Sequence, residues 1–157
     1  MLEYPVEALI GVGPVRLGMS RAQSRCAMGL TPDPFQKGSS PILTDAYHDA
    51  AFQVFFDADD KVEYIELSSH GPFVVTFKAV LVFELPAEDL VAFIAKDTPF
   101  DPDDWELGYS YIFPELELSL WRPTLPESDQ DEDSRYFRTI GIGRRGYYSD
   151  RSEDPSR

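Results

Sequence analysis

The sequence predicts an α+β fold: two tandem units, each a strand, a helix, a hairpin and a strand, forming one mainly antiparallel sheet with the helices packed on one face. Three observations predict it. Residues 109–121, YSYIFPELELSLW, alternate in polarity about Pro114-Glu115 and read as a hairpin. Residues 52–67, FQVFFDADDKVEYIEL, repeat that logic, with Phe52, Val54 and Phe56 standing where Tyr109, Tyr111 and Phe113 stand in the other hairpin. Each hairpin also follows a segment with helix signals of its own.

In chain order, residues 1–10 supply a short strand or arm, and GVGPVRLG at 11–18 is a Gly- and Pro-punctuated approach. Ser20 is an N-cap candidate for a helix over 21–28, and Gly29 suits a left-handed C-terminal cap. Pro32, Pro34 and Pro41 make residues 30–49 a loop. Strands at 51–56 and 61–67 flank the turn Asp57-Ala58-Asp59-Asp60. A long strand over 74–85 follows, with Phe77, Ala79, Leu81, Phe83 and Leu85 on one face. Pro86 can open a helix over 87–96, whose stripe is Leu90, Val91, Phe93 and Ile94, with Glu88 and Asp89 favourably placed in its first turn. TPFDPDDWE at 98–106 connects to the second hairpin, placed across a two-residue turn. An acidic loop covers 122–134, a last strand covers 135–142, and residues 149–157 read as a disordered tail. The expected organisation is a single domain over 1–148, with unit one at about 12–82 and unit two at about 83–147.

Three landmarks recur in the same order: Leu17-Gly18-Met19-Ser20 with Leu85-Pro86-Ala87-Glu88, Phe56 with Phe113, and Thr76-Phe77-Lys78 with Tyr136-Phe137-Arg138. This doubled order resembles the beta-lactamase inhibitory protein-like fold and the related small lipoprotein domains of the outer-membrane assembly machinery. LGMSRAQSRCAMGL at 17–30 is similar to the helix-opening motif of those domains. The resemblance implies a sheet face or loops that grip another protein. This chain departs from it in showing no signal peptide, no lipidated cysteine and no disulfide pair. In size and acidity it is also similar to bacterial immunity proteins that neutralise toxins.

Charge narrows the partners. The chain carries 28 acidic and 14 basic side chains, a net −14, so nucleic acid, whose phosphates need clustered cations, is disfavoured and a basic protein is favoured. The N-terminal MLEYPVEALIGVG lacks the basic and long apolar segments of a secretion signal, and the lone Cys26 cannot form an internal disulfide; both predict a cytoplasmic protein with no membrane partner. Oligomeric state stays open.

Chemical motifs fail on context. Gly141-Ile142-Gly143-Arg144-Arg145-Gly146 fits a dinucleotide fingerprint, but too little chain follows for a βαβ unit, so its glycines are read as room for close strand packing. Asp57, Asp59 and Asp60 begin like a calcium loop that Lys61 and Val62 then break, and Asp101, Asp103 and Asp104 are broken by Trp105. His48, between Asp45 and Asp49, and His70 and Cys26 have no zinc spacing. Glu115 and Glu117 flank a turn, where charge implies exposure. No catalytic residue, cofactor or metal is therefore assigned.

Apolar residues on the face opposite the core carry more information. If Phe52, Val54, Phe56, Tyr109, Tyr111 and Phe113 point inward, then Phe55, Tyr64, Ile112 and Trp121 point outward, with Tyr136 and Arg138 beside them. Either they anchor a protein interface, or loops cover them as a second small core. The expectation is a non-enzymatic binding domain, an immunity or inhibitor protein for a basic bacterial toxin, steered by Glu127, Asp129, Asp131, Glu132 and Asp133. The alternatives are a small-ligand or metal-dependent enzyme with a pocket near 34–70, and a structural subunit.

Overall fold

The computed structural model describes residues 1–128 and 130–148; Asp129 and the tail expected at 149–157 lie outside them. Its strands, in chain order, are β1 (Leu2–Glu7), β2 (Gly11–Val12), β3 (Val15–Arg16), β4 (Asp33–Phe35), β5 (Thr44–Tyr47), β6 (Phe52–Phe56), β7 (Val62–Ser68), β8 (Phe73–Phe77), β9 (Val80–Leu81), β10 (Ser110–Phe113), β11 (Leu118–Trp121) and β12 (Thr139–Gly143). Helix α1 (Arg21–Met28) precedes β4 and helix α2 (Ala87–Ala95) precedes β10. The fold is α+β, with the strands divided between a large, seven-stranded sheet, β10-β11-β12-β7-β6-β5-β4, and a small, five-stranded one, β3-β2-β1-β8-β9.

That division departs from the expected single sheet, and its cause is edge occupancy. β7 pairs with β6 on one side and β12 on the other, so no edge of β7 is left for β8. The chain turns away at Gly71, where a Cβ would collide with the Phe73 ring, and β8 pairs in parallel with β1. The expected long strand over 74–85 is also two short strands. Lys78 and Ala79 adopt φ 49° and 66°, folding the chain back into the β8–β9 hairpin.

Within the large sheet, a four-stranded meander, β4-β5-β6-β7 after α1, and a three-stranded one, β10-β11-β12 after α2, meet antiparallel at β7 and β12. Phe56 ends the third strand of the first meander, while Phe113 ends the first strand of the second. Phe77 lies in the small sheet, whereas Phe137 leads into the large one. These two pairs of landmarks therefore do not occupy matching strands, whereas residues 17–20 and 85–88 both lead into a helix.

Register explains the core. Cross-strand partners line up two rows over six strands: Asp45, Val54, Ile65, Ile142, Leu118 and Phe113, and then Tyr47, Phe52, Leu67, Ile140, Leu120 and Tyr111. Both rows face inward. Tyr4 of β1 meets Phe52 and Phe73 edge-on at 4.8 and 5.0 Å, closing the small sheet over this face. Ala87, Leu90, Val91 and Ile94 of α2 join the same cluster. Helix α1 is built as read, with Ser20 and Gln23 forming a reciprocal capping box and Gly29 at φ 67° ending it. It is pinned by charge: Arg21 and Arg25 converge on the fully buried Asp45 carboxylate at 3.2 and 2.8 Å. A buried carboxylate in an apolar row is tolerable only when so paired.

No helix among the described residues is long and apolar enough to cross a membrane.

Candidate functional site

The outer face of the large sheet carries the complementary rows. Gln53, Glu66, Gly141, Ser119 and Ile112 cross its middle, with Phe55, Tyr64 and Gly143 towards one end and Ser68, Thr139, Trp121 and Ser110 towards the other. Phe55, Tyr64, Ile112 and Trp121 thus share this face, as strand parity predicts.

At the Tyr64 end the chain covers itself. Tyr147 stacks on Tyr64 at 4.5 Å between centroids, and the Tyr64 hydroxyl lies 2.7 Å from that of Tyr148 and 3.0 Å from Ser119 Oγ. Burial pushes both the Tyr64 and Tyr148 phenols up from their ordinary values. The two strand glycines make this possible, since a Cβ on Gly141 would strike Tyr64 and one on Gly143 would strike Tyr147. The residue that ties the segment down is Glu117. It is buried, against the expectation of exposure, because its carboxylate accepts the backbone N–H groups of Gly146 at 2.9 Å and Tyr148 at 2.7 Å. The hairpin turn is correspondingly longer than two residues: a 3₁₀ turn, Pro114–Leu116, followed by Glu117 at φ 50°.

At the other end Trp121 and Arg138 come together with Ser68, Ser69, His70 and Thr139 around a shallow depression of about 360 Å³. Tyr136 is half-buried, with the Arg135 guanidinium 6.0 Å from its ring centroid.

Beyond Trp121 lies a corner that sequence reasoning passed over. Trp105 is 88% exposed, and Leu107, Tyr109, Trp121 and Leu125 are exposed as well, Tyr109 against the expectation that it points inward. Hydrogen bonds hold the turn rigid: Asp104 Oδ1 accepts Glu106 N–H, the Asp104 carbonyl accepts Leu107 N–H, and the Glu106 carbonyl accepts both Tyr109 and Ser110 N–H. The buried Arg122 joins the turn to the acidic loop and to α2. Its Nε donates to the Gly108 carbonyl at 2.9 Å, one Nη to the Ser134 carbonyl at 3.0 Å and the other to Glu88 Oε1 at 2.8 Å. Leu125 sits beside Gly108, whose φ of 102° brings the two segments together. Burial tends to raise the Glu88 carboxyl, but the Arg122 hydrogen bond, its own backbone N–H and the charges of Arg122 and Arg135 together outweigh it, leaving it below its ordinary value.

Carboxylates adjoin the apolar corner along the chain and through Arg122: Asp101, Asp103, Asp104 and Glu106 flank Trp105 in the turn, Glu88 is bonded to Arg122, and Glu127, Asp131, Glu132 and Asp133 lie on the loop that Arg122 tethers. Glu132 pairs with Arg135 at 2.8 Å, and Asp131 accepts Glu127 N–H. Asp129 lies outside the described residues.

Comparisons with protein-family models, with curated proteins and with solved structures find no match. The site has to be read from its own chemistry.

Depressions border the segment 34–70, where a pocket is expected. Thr31, Asp33, Ala46, Tyr47, His48, Asp49, Ala50 and Pro72 surround an open depression of about 710 Å³. His48 Nε2 is 3.0 Å from the Tyr4 hydroxyl, and His48, Asp49 and Ala50 all have positive φ. Asp45, next in sequence to this loop, is turned inward and held by two arginines, so it does not join His48. Cys26 is exposed on α1. Among the described residues no group of three or more His, Cys, Asp or Glu is placed to hold a metal ion.

Proposed function

We propose that the chain is a non-catalytic protein-binding domain that captures a basic partner at the corner built by Trp105, Leu107, Tyr109, Trp121 and Leu125. The observation that carries the reading is the exposure of Trp105 on a turn rigidified by hydrogen bonds and flanked by acids. An indole left in water on an ordered turn forgoes burial that a partner can provide, and Trp is among the side chains most enriched as interface anchors. The adjoining carboxylates favour a partner whose apolar anchor is flanked by Lys or Arg, and the net charge of −14 draws such a partner from a distance. A basic toxin neutralised by an immunity or inhibitor protein is the member of this class that charge and size favour, and the family resemblance is to proteins with that use of a sheet face or its loops.

The test is selection of peptides from a random displayed library on the wild-type chain, with the Trp105→Ala variant as counter-target. Selected peptides should combine an aromatic or aliphatic anchor with flanking Lys or Arg. Their affinity should fall by roughly tenfold or more on Trp105→Ala, the scale of an interface anchor. Because Trp105 is exposed, its removal leaves the thermal midpoint in place. Peptides that bind wild type and variant equally would remove the corner as the docking site.

A further inference from the structure

We propose that the outer-face cleft between the 36–43 loop and Tyr147 is a binding site for a small organic cation, an alkylammonium or guanidinium on a short carbon chain, and that the Lys37 ammonium, reaching from its wall, takes the cation's place as a displaceable internal ligand. The cleft encloses about 380 Å³, within the range of small-ligand sites, and Phe55, Tyr64, Glu66 and Tyr147 line it with Lys37. A shift of register between Phe55 and Phe56 interrupts the strand there, and both residues border the cleft.

The polar groups converge on one point, and the point is already marked. Lys37 Nζ lies 3.2 Å from Gln53 Oε1, 3.8 Å from Glu66 Oε2 and 5.2 Å from the Phe55 ring centroid. A carboxylate, an amide oxygen and an aromatic face are the three partners an ammonium accepts together. Gln53 is oriented for this from its far side: its Nε2 donates to the Ala50 carbonyl at 2.9 Å, which turns Oε1 towards the lysine. Phe55 is in turn fixed edge-on against Tyr64 at 5.5 Å, and Tyr64 against Tyr147. The receptor half is thus held by the sheet, whereas the cation half is not. Lys37 reaches in from a surface turn beside Gly38, and its side chain remains 48% exposed. An exposed lysine that must be immobilised to make such contacts gains little from them, so a ligand of the same charge can replace it.

This site is at the opposite end of the outer face from Trp121, and it does not depend on the docking corner. The probe is agmatine, followed by backbone amide chemical-shift titration of wild type, Lys37→Met and Glu66→Gln, with N-butylacetamide as the uncharged control. Lys37 is exposed and Glu66 partly buried on β7, so thermal midpoints check folding of both variants. Agmatine should shift Phe55, Tyr64, Glu66 and Tyr147 selectively. Removing the internal competitor in Lys37→Met should tighten binding by about threefold to tenfold, since apparent affinity scales with the fraction of open sites. Glu66→Gln should weaken it by about tenfold or more, as expected for loss of a charge-assisted contact. Equal binding of the uncharged control, shifts scattered over the acidic surface, or an affinity unchanged by Lys37→Met would each overturn the proposal.

Discussion

Glu117 is where a single residue governs the most structure. It stands at φ 50°, a backbone region that favours glycine or asparagine, and it carries a buried charge. Both costs are offset by the two N–H groups its carboxylate accepts, which hold Tyr147 and Tyr148 over Tyr64. Replacement by Gln keeps the volume but leaves only one acceptor oxygen and turns an amide donor towards an N–H. Glu117→Gln should therefore destabilise the protein by about 1–3 kcal/mol, the cost of an unsatisfied buried group, and should speed hydrogen exchange at Gly146 and Tyr148. Unchanged exchange at those amides would show that the tyrosine stack alone holds the segment. None of this was legible in the sequence, because a glutamate beside a hairpin turn is usually solvated and its partners lie about thirty residues downstream. Arg122 and Trp105 were missed for a related reason: neither burial of a guanidinium nor exposure of an indole has a local signature.

At the scale of elements, what is written locally was readable. Ser20 and Gly29 specify the two ends of α1 through caps, and alternation specifies the inward and outward faces of β6, β7, β10 and β11, although Tyr109, expected inward just before β10, is exposed. Pairings between distant segments were not readable: the parallel β1–β8 ladder leaves no trace in either strand, and Lys78-Ala79 is not a sequence that announces a turn with positive φ. The β6–β7 turn offers a test of how its acids work. Burial tends to raise the Asp57 carboxyl, but the N–H groups of Lys61 and Asp59 and the Arg144 guanidinium outweigh this and leave it below its ordinary 3.8. A carboxylate with a depressed folded-state pKa contributes stability that is present above its unfolded value and is lost as pH falls through the folded one. Acid should therefore weaken the turn below about pH 4, where the unfolded chain begins to bind the proton first. Asp57→Asn, which keeps an acceptor oxygen for the two N–H groups, should flatten the stability curve in that range when unfolding is followed in urea at stepped pH. A curve as steep as that of the wild type would place the acid sensitivity elsewhere.

For the whole molecule, charge acts in two directions, and salt separates them. A net charge of −14 on a chain this size repels itself, while the same charge attracts a basic partner. Raising sodium chloride from about 0.05 to 0.5 M shortens the screening length severalfold, so both effects weaken together. The thermal midpoint should rise or hold, because relief of self-repulsion outweighs the loss of half-exposed pairs such as Lys78 with Asp97 and Arg16 with Glu7. Affinity for a peptide selected at the Trp105 corner should fall over the same range by about tenfold, carried mainly by slower association. Replacing Glu127, Asp131, Glu132 and Asp133 by their amides should reduce that salt slope while leaving Trp105→Ala just as damaging, because the indole contributes through burial and the loop through its field. If the amide variant kept the wild-type slope, the steering charge would have to lie on the 101–106 turn instead; a salt-independent affinity would leave the corner an apolar contact and would remove the basic partner from the proposal.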